Sequence, residues 1–153
     1  MTDRSDPERM AAVRALEDEF SSLIAIFRRA MAENAERVSP GMLPGAYKVF
    51  TTIARQDGIT LSQLAESLMA DKGQMSRTVR ELEELGLVER TADPSDKRSS
   101  LLSVTADGRA RLTEARAPRE RALAGALESW RIEDISTLSR LLHALSHGDA
   151  PGA

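Results

Sequence analysis

Residues 60–105 decide the fold, and they read TLSQLAESLMADKGQMSRTVRELEELGLVERTADPSDKRSSLLSVT. Thr60 is a suitable N-cap for a short helix whose apolar residues recur every three or four positions, at Leu61, Leu64, Ala65 and Leu68. A second helix is predicted over residues 71–86, followed by a strand, a loop rich in Asp and Pro, and another strand. This order is typical of a winged helix-turn-helix, in which one helix enters a DNA groove and a hairpin lies beside it.

Long helices are predicted on both sides of this segment. Between residues 8 and 38 an apolar stripe predicts a first helix, with Leu16, Phe20, Leu23, Phe27 and Met31 on one side. Pro44-Gly45 is interpreted as the loop before a second helix, over residues 46–54, whose stripe is Val49, Phe50 and Ile53. We therefore expect a mainly α fold with a small β wing.

The C-terminal third predicts two further helices, over about residues 105–146. Thr105 and Asp107 offer an N-cap and an acidic first turn. Pro118 should bend or interrupt the first of these helices, with Leu123, Leu127 and Trp130 continuing its apolar face. We expect one domain over residues 8–147, with the helix-turn-helix at about 61–85, the wing at about 87–104 and dimerisation helices at about 8–38 and 105–146.

Composition narrows the class of protein. The 153-residue chain is 41% hydrophobic, which is ordinary for one globular domain. It contains no cysteine, which excludes disulfides and thiol-based sensing. We see no apolar run long enough to cross a membrane, and the start MTDRSDPERM lacks the hydrophobic centre of a signal peptide, so a cytoplasmic location is expected.

The predicted second helix of the central segment separates into two faces. Met75, Val79 and Leu82 fall on one side and should pack on the core. The exposed residues of its N-terminal half are types that bind phosphates or purine edges: Lys72, Gln74, Ser76, Arg77 and Arg80. A solvated amphipathic helix with mixed charges would show the same pattern. The net charge of −3 at pH 7 requires any DNA binding to depend on local cations.

The predicted wing ends in two cations. Its loop, Asp93-Pro94-Ser95-Asp96-Lys97-Arg98, combines turn-forming residues with Lys97 and Arg98, a pair suited to a minor groove. Asp96 is expected to brace Arg98 instead of touching DNA. An ordinary charged turn is the alternative.

Together these motifs resemble the multiple-antibiotic-resistance-regulator (MarR) family of bacterial transcription factors. The likeness rests on Leu64-Ala65, the run from Ser76-Arg77 to Glu89-Arg90, the wing Asp93–Arg98, and Val104-Thr105-Ala106-Asp107-Gly108. It implies a symmetric homodimer, which the apolar stripes of the terminal helices favour independently. It also implies a small, often anionic aromatic effector, for which Phe27, Arg28, Met31, Tyr47 and Phe50 are candidates.

The sequence thus predicts a homodimeric DNA-binding regulator, a repressor on a near-palindromic operator. In this hypothesis Ser62 and Lys72 meet phosphates. A winged helix that binds only proteins is the alternative. We find no motif of an enzyme and expect no cofactor. His143 and His147 stand four residues apart, but stacking with the dipole at the C-terminal end of the helix is a plainer account than a metal site.

Overall fold

The computed structural model describes residues 6–150 as six helices and three short strands. The first five and last three residues lie outside the described residues. They belong to the N-terminal stretch in which no signal peptide was expected and to the predicted Gly/Pro/Ala tail. In chain order the elements are α1 Pro7–Val38, α2 Pro44–Gln56, β1 Ile59–Thr60, α3 Leu61–Ser67, α4 Lys72–Glu84, β2 Val88–Ala92, β3 Ser100–Val104, α5 Ala106–Ala126 and α6 Ile132–His147. The predicted mainly α fold with a β wing is confirmed.

The strands form one antiparallel sheet in the order β1-β3-β2. β3 pairs with β2 from Val88↔Val104 to Ala92↔Ser100, and on its other side with the two residues of β1. The wing therefore has two long strands, as predicted, whereas β1 was not predicted. A two-residue strand is too short to show the alternation of apolar and polar residues from which strands are recognised.

The core lies under the helix-turn-helix. The predicted stripes of α2 and α4 are buried there with Leu64 and Ala65 of α3, while Leu61 and Leu68 are half-buried against them. The largest side chains that are fully enclosed are Phe50, Ile53, Leu64, Leu82, Leu87, Leu102 and Val79. At about 25 cal/mol per Å² of apolar surface, burial of each such side chain contributes roughly 1.5–3 kcal/mol. This core fixes the inner face of α4 and so leaves its other face to solvent.

The helix starts follow the capping residues. Thr60 forms a capping box with Gln63, since the Thr60 hydroxyl accepts from the Gln63 amide and the Gln63 side chain accepts from the Thr60 amide. Pro44 and Gly45 were expected in a loop, but they form the first turn of α2, with Pro44 at N1. Proline suits that position because its missing N–H is one of the donors that a helix start leaves unpaired anyway.

Pro118 was expected to bend or interrupt its helix; interruption is wrong, and a bend stays a prediction. α5 runs from Ala106 to Ala126 with Pro118 inside it. Proline removes one backbone hydrogen bond, but the residues around it, Glu114-Ala115-Arg116 and Arg119-Glu120, are strong helix formers that sustain the remaining bonds. Leu127 and Trp130, expected to extend the apolar face of this helix, lie beyond its end.

The described chain divides into two compact units. The first comprises residues up to Arg116 and the second begins at Ala117. The first unit contains the helix-turn-helix, the sheet and the core. In the second, α6 buries only Ala144 among its own residues. The predicted single domain over residues 8–147 stays a prediction.

Candidate nucleic-acid interface

The helix predicted to read DNA, α4, starts at a defined cap. The Asp71 carboxylate accepts a hydrogen bond of 2.9 Å from the Gln74 amide, which satisfies one of the donors at the helix start. The negative charge also lies at the positive end of the helix dipole. Asp71 was not predicted as the cap, although an Asp before an amphipathic run is a signal for a helix start.

The two faces of α4 lie as predicted. Met75, Val79 and Leu82 are buried, at 4%, 0% and 1% exposure. Most of the predicted DNA-contacting side chains are exposed, namely Lys72, Gln74, Arg77 and Arg80, while Ser76 is half-buried. Ser62, the second residue of α3, is exposed as well. One unit therefore presents a hydroxyl, an amide, an ammonium and two guanidinium groups to solvent.

The wing tip is ordered by two aspartates. The Asp93 carboxylate accepts hydrogen bonds from the Ser95 hydroxyl at 2.7 Å and the Ser95 amide at 2.8 Å. These bonds stabilise the charged form and lower the pKa of Asp93, the side-chain bond being the largest cause. The Asp96 carboxylate accepts from the Arg98 amide at 2.9 Å. Asp96 thus contacts the backbone of Arg98, and Lys97 and Arg98 both have exposed side chains.

The inner end of the wing is joined to α5 through Thr105. Its hydroxyl donates to the Gly86 carbonyl at 2.6 Å and accepts from the Gly108 amide at 2.9 Å, which confirms it as the predicted cap. A Cβ at Gly108 would lie 2.3 Å from the Leu87 carbonyl oxygen, closer than any side chain can approach. The Thr-x-x-Gly motif therefore has a steric reason: it lets α5 start against the strand that leads into the wing.

An ion pair joins the wing to α4. The Arg90 Nε atom, on β2, lies 2.8 Å from the Glu83 Oε1 atom, and the two side chains are 35% and 27% exposed. Among residues 6–150, this is the one ion pair found between α4 and the sheet. Sequence reasoning missed the pair, because residues seven apart on different elements show no helical or cross-strand spacing.

The helix-turn-helix and the wing are similar to those of known proteins. A model described as the MarR family matches residues 44–100, which include α2, the helix-turn-helix and most of the wing. Wild-type MarR of Escherichia coli in its apo form is 26% identical and superposes with a TM-score of 0.59, over 82% of this chain and 95% of that one. Residues 44–100 therefore match the MarR family, and the fold of the chain is similar to that of MarR.

Two further proteins are similar to this chain. A putative transcriptional regulatory protein for the hcr operon of Thauera aromatica is 35% identical over 68 residues, or 44% of this chain; the match spans 41% of that relative's length. FabT of Streptococcus pneumoniae, solved in complex with DNA, is 21% identical with a TM-score of 0.65, over 93% of this chain and 96% of that one. At that identity the second likeness shows the fold alone.

The residues predicted to bind an effector are divided between the core and the surface of the single chain. Phe50 and Tyr47 are 0% and 4% exposed and belong to the core, which departs from the expected open cleft. The Tyr47 hydroxyl lies 3.3 Å from the Asn34 side-chain nitrogen, which donates to it. Met31 packs against the core, whereas Phe27 and Arg28 are exposed on α1. The effector assignment stays a prediction.

A pocket of about 580 Å³ lies elsewhere, beside α4. Its walls come from the α1–α2 turn, the start of α2, the α3–α4 turn and one side of α4. Gln74 is the single predicted DNA-contacting residue in its lining. None of the five candidate effector residues lines it.

The two histidines of α6 stack on each other. Their ring centroids are 4.1 Å apart, and the His147 Nδ1 atom lies 2.9 Å from the His143 carbonyl oxygen. Across the described part of the chain, no group of three or more His, Cys, Asp or Glu side chains is placed to hold a metal ion. Within the same range, no helix is both long enough and apolar enough to span a lipid bilayer.

Proposed function

We propose that this chain is a DNA-binding transcriptional regulator that acts as a homodimeric repressor. The observation that carries the proposal is the pairing of a capped reading helix, with Lys72, Gln74, Arg77 and Arg80 exposed, and an ordered wing tip bearing Lys97 and Arg98. Both belong to the same compact unit. Such a unit can contact neighbouring grooves of one duplex.

Each exposed group is assigned a role by its chemistry. Arg77, Arg80, Gln74 and Ser76 would enter the major groove, where guanidinium pairs with guanine and amide with adenine. Ser62 and Lys72 would meet phosphates, and Lys97 with Arg98 would reach the flanking minor groove, which attracts cations. The acids Glu81 and Glu84 lie in the C-terminal half of α4, consistent with docking by its N-terminal half.

Dimerisation is supported by apolar side chains that a single chain leaves in solvent. On α1, Leu16, Ile24 and Phe27 are 48%, 50% and 47% exposed. On α6, the stripe Leu138, Leu141, Leu142 and Leu145 is between 42% and 56% exposed. Apolar surface of this extent marks an interface, and the most economical partner is a second copy. Twofold pairing would present two reading helices to half-sites about 34–36 Å apart.

The expected location, the DNA partner and the effector follow from the proposed binding of DNA. A regulator of this type acts without catalysis and works where chromosomal DNA lies, in the cytoplasm of a bacterial cell. The MarR-type fold, seen with DNA in the FabT structure, supports DNA as the partner. A small-molecule effector that releases the DNA is proposed from the family likeness.

The test is a salt titration of duplex affinity on an operator obtained by selecting bound genomic fragments. Because Lys and Arg release counterions from phosphates, the logarithm of affinity should fall linearly and steeply with the logarithm of salt concentration. A winged helix that binds only proteins would show no measurable duplex affinity even at low salt.

Arg77→Ala sharpens the test. If Arg77 pairs with a guanine in bidentate fashion, the variant should lose about 1–3 kcal/mol of binding free energy and change its base preference at one position. Arg29→Ala is the matched control: it removes the same charge from α1, which carries none of the predicted DNA contacts, and should leave base preference unchanged. The same footprint for wild type and Arg77→Ala would reject the assigned role.

A further inference from the structure

The wing strand β2 is held on one side only, by its pairing with β3. It is the edge strand of the sheet, and of its five residues only Val88 is buried. None of residues 89–101 is buried. On the other side of the sheet, β1 supports β3 as far out as Leu101. The outer part of β2 therefore lacks both a second neighbouring strand and a hydrophobic anchor.

Arg90 supplies the missing attachment. It is the third residue of β2, opposite Leu102, and its guanidinium reaches across to Glu83 on α4 at 2.8 Å. The contact is short, charge-assisted and partly shielded, which makes it stronger than a fully exposed ion pair. Arg90 lies two rungs, or about 7 Å, from the last β2–β3 pair that precedes the tip.

We propose that Glu83 and Arg90 are positioning residues that hold the wing at a fixed spacing from the reading helix. The inference rests on the proposed function, because the spacing matters only if both elements engage one duplex. A wing free to swing would lose conformational freedom on binding, whereas a wing already held does not. The pair thereby raises DNA affinity without touching DNA.

Electrostatics alone predict the opposite sign, which makes the proposal testable. Glu83 is an anion near the proposed DNA surface, so removing it should strengthen binding if repulsion were its only effect. Loss of the wing's support should weaken binding instead. Glu84 is the matched control, because it is the next residue of the same helix, carries the same charge and is exposed.

The experiment compares Glu83→Ala with Glu84→Ala in duplex affinity at fixed salt. We expect Glu83→Ala to bind about three- to fivefold more weakly, the range of a partly shielded ion pair. Glu84→Ala should bind as tightly as wild type or more tightly. The charge-swapped variant E83R/R90E, which keeps net charge constant, should recover most of the loss. Equal affinities for the two alanine variants would overturn the proposal.

A coupling measurement separates positioning from simple stabilisation. The fold-loss of DNA affinity caused by Arg98→Ala should be at least about twofold smaller in the Glu83→Ala background than in wild type. The reason is that a wing tip that is no longer held contributes less to binding. Additive losses would overturn the proposal. If the wild-type protein itself shows no salt-dependent duplex binding, the proposed function fails first, and the two failures are distinct.

A distance measurement gives an answer even if affinities change little. Because the chain has no cysteine, two spin labels can be attached at introduced cysteines, Ala92→Cys at the exposed end of β2 and Glu81→Cys on α4. Labelled protein is diluted into unlabelled protein, so that distances within one chain are measured. We expect a narrow distribution of distances with the Glu83–Arg90 pair and a broader one in Glu83→Ala. Identical distributions would overturn the proposal.

Discussion

The helix α2 and the helix α6 have comparable apolar stripes but opposite fates in the single chain. Five of the 13 residues of α2 are buried, including Phe50 and Ile53 at 0% exposure. Of the 16 residues of α6 only Ala144 is buried. An apolar stripe thus predicts that a surface will be covered but does not say by what. The stripe of α2 is buried in the chain's own core, and we propose that the stripe of α6 is buried against a second copy of the chain.

Truncating one phenylalanine in each region should give the largest contrast. Phe50→Ala should lower the free energy of unfolding by about 3–5 kcal/mol, since it leaves a cavity in the core. Phe27→Ala, which removes the same group from a side chain that is 47% exposed in the single chain, should act mainly through dimerisation. Its unfolding midpoint in denaturant should therefore vary with protein concentration. A larger, concentration-independent loss for Phe27→Ala would break the comparison.

A charge placed in the α6 stripe tests directly whether this stripe is buried in a dimer interface. Leu141→Glu would bury a carboxylate in the dimer interface and should weaken the dimer roughly a hundredfold, about 2–3 kcal/mol. Light scattering after size exclusion should then give the mass of one chain. Ser136→Glu, on the opposite side of the same helix, is the control and should leave the mass unchanged. A dimer that persists in Leu141→Glu would remove α6 from the interface.

A smaller effect on the free energy of unfolding is expected at Gly108, where the backbone of α5 lies against that of Leu87. Gly108→Ala places a Cβ against the Leu87 carbonyl, so the chain must shift at a cost of about 1–3 kcal/mol in unfolding free energy. Gly125→Ala, on the same helix with open space around it, should be neutral or stabilising, as replacing Gly by Ala within a helix usually is. Thermal unfolding of both variants measures the difference. Equal melting temperatures would contradict tight packing at Gly108.

The smallest expected effect is at the wing tip. The pKa of Asp93 lies below the usual value of about 3.9, because the charged carboxylate accepts two bonds from Ser95. Its stabilising contribution is therefore complete above pH about 3.9 and is lost as pH falls through the lowered pKa. A carboxyl NMR titration should show this midpoint, with the Ser95 amide shifting in parallel. A midpoint at or above the usual value would mean that the tip is not held by Asp93.

Sequence reasoning located the elements better than it located the links between them. Local patterns predicted α4, its buried face and the two long wing strands, because each repeats within a few residues. It could not decide between a bend and an interruption at Pro118, where α5 continues because the surrounding helix formers outweigh one missing hydrogen bond. It also missed β1, and it did not show that Tyr47 and Phe50, two of the effector candidates, are buried in the single chain. Periodicity marks a side chain as apolar without saying whether its neighbour is protein or solvent.

The sequence by itself determined the winged helix-turn-helix and the cations that face away from its core, because short-range spacing and capping are written in consecutive residues. Only the tertiary structure decided how these parts are joined. The Arg90 guanidinium on Glu83, the Thr105 hydroxyl on the Gly86 carbonyl and the close approach of Gly108 to Leu87 are contacts between elements. Their partners lie up to about twenty residues apart, and no periodic pattern connects them, since such contacts arise from the way whole elements pack.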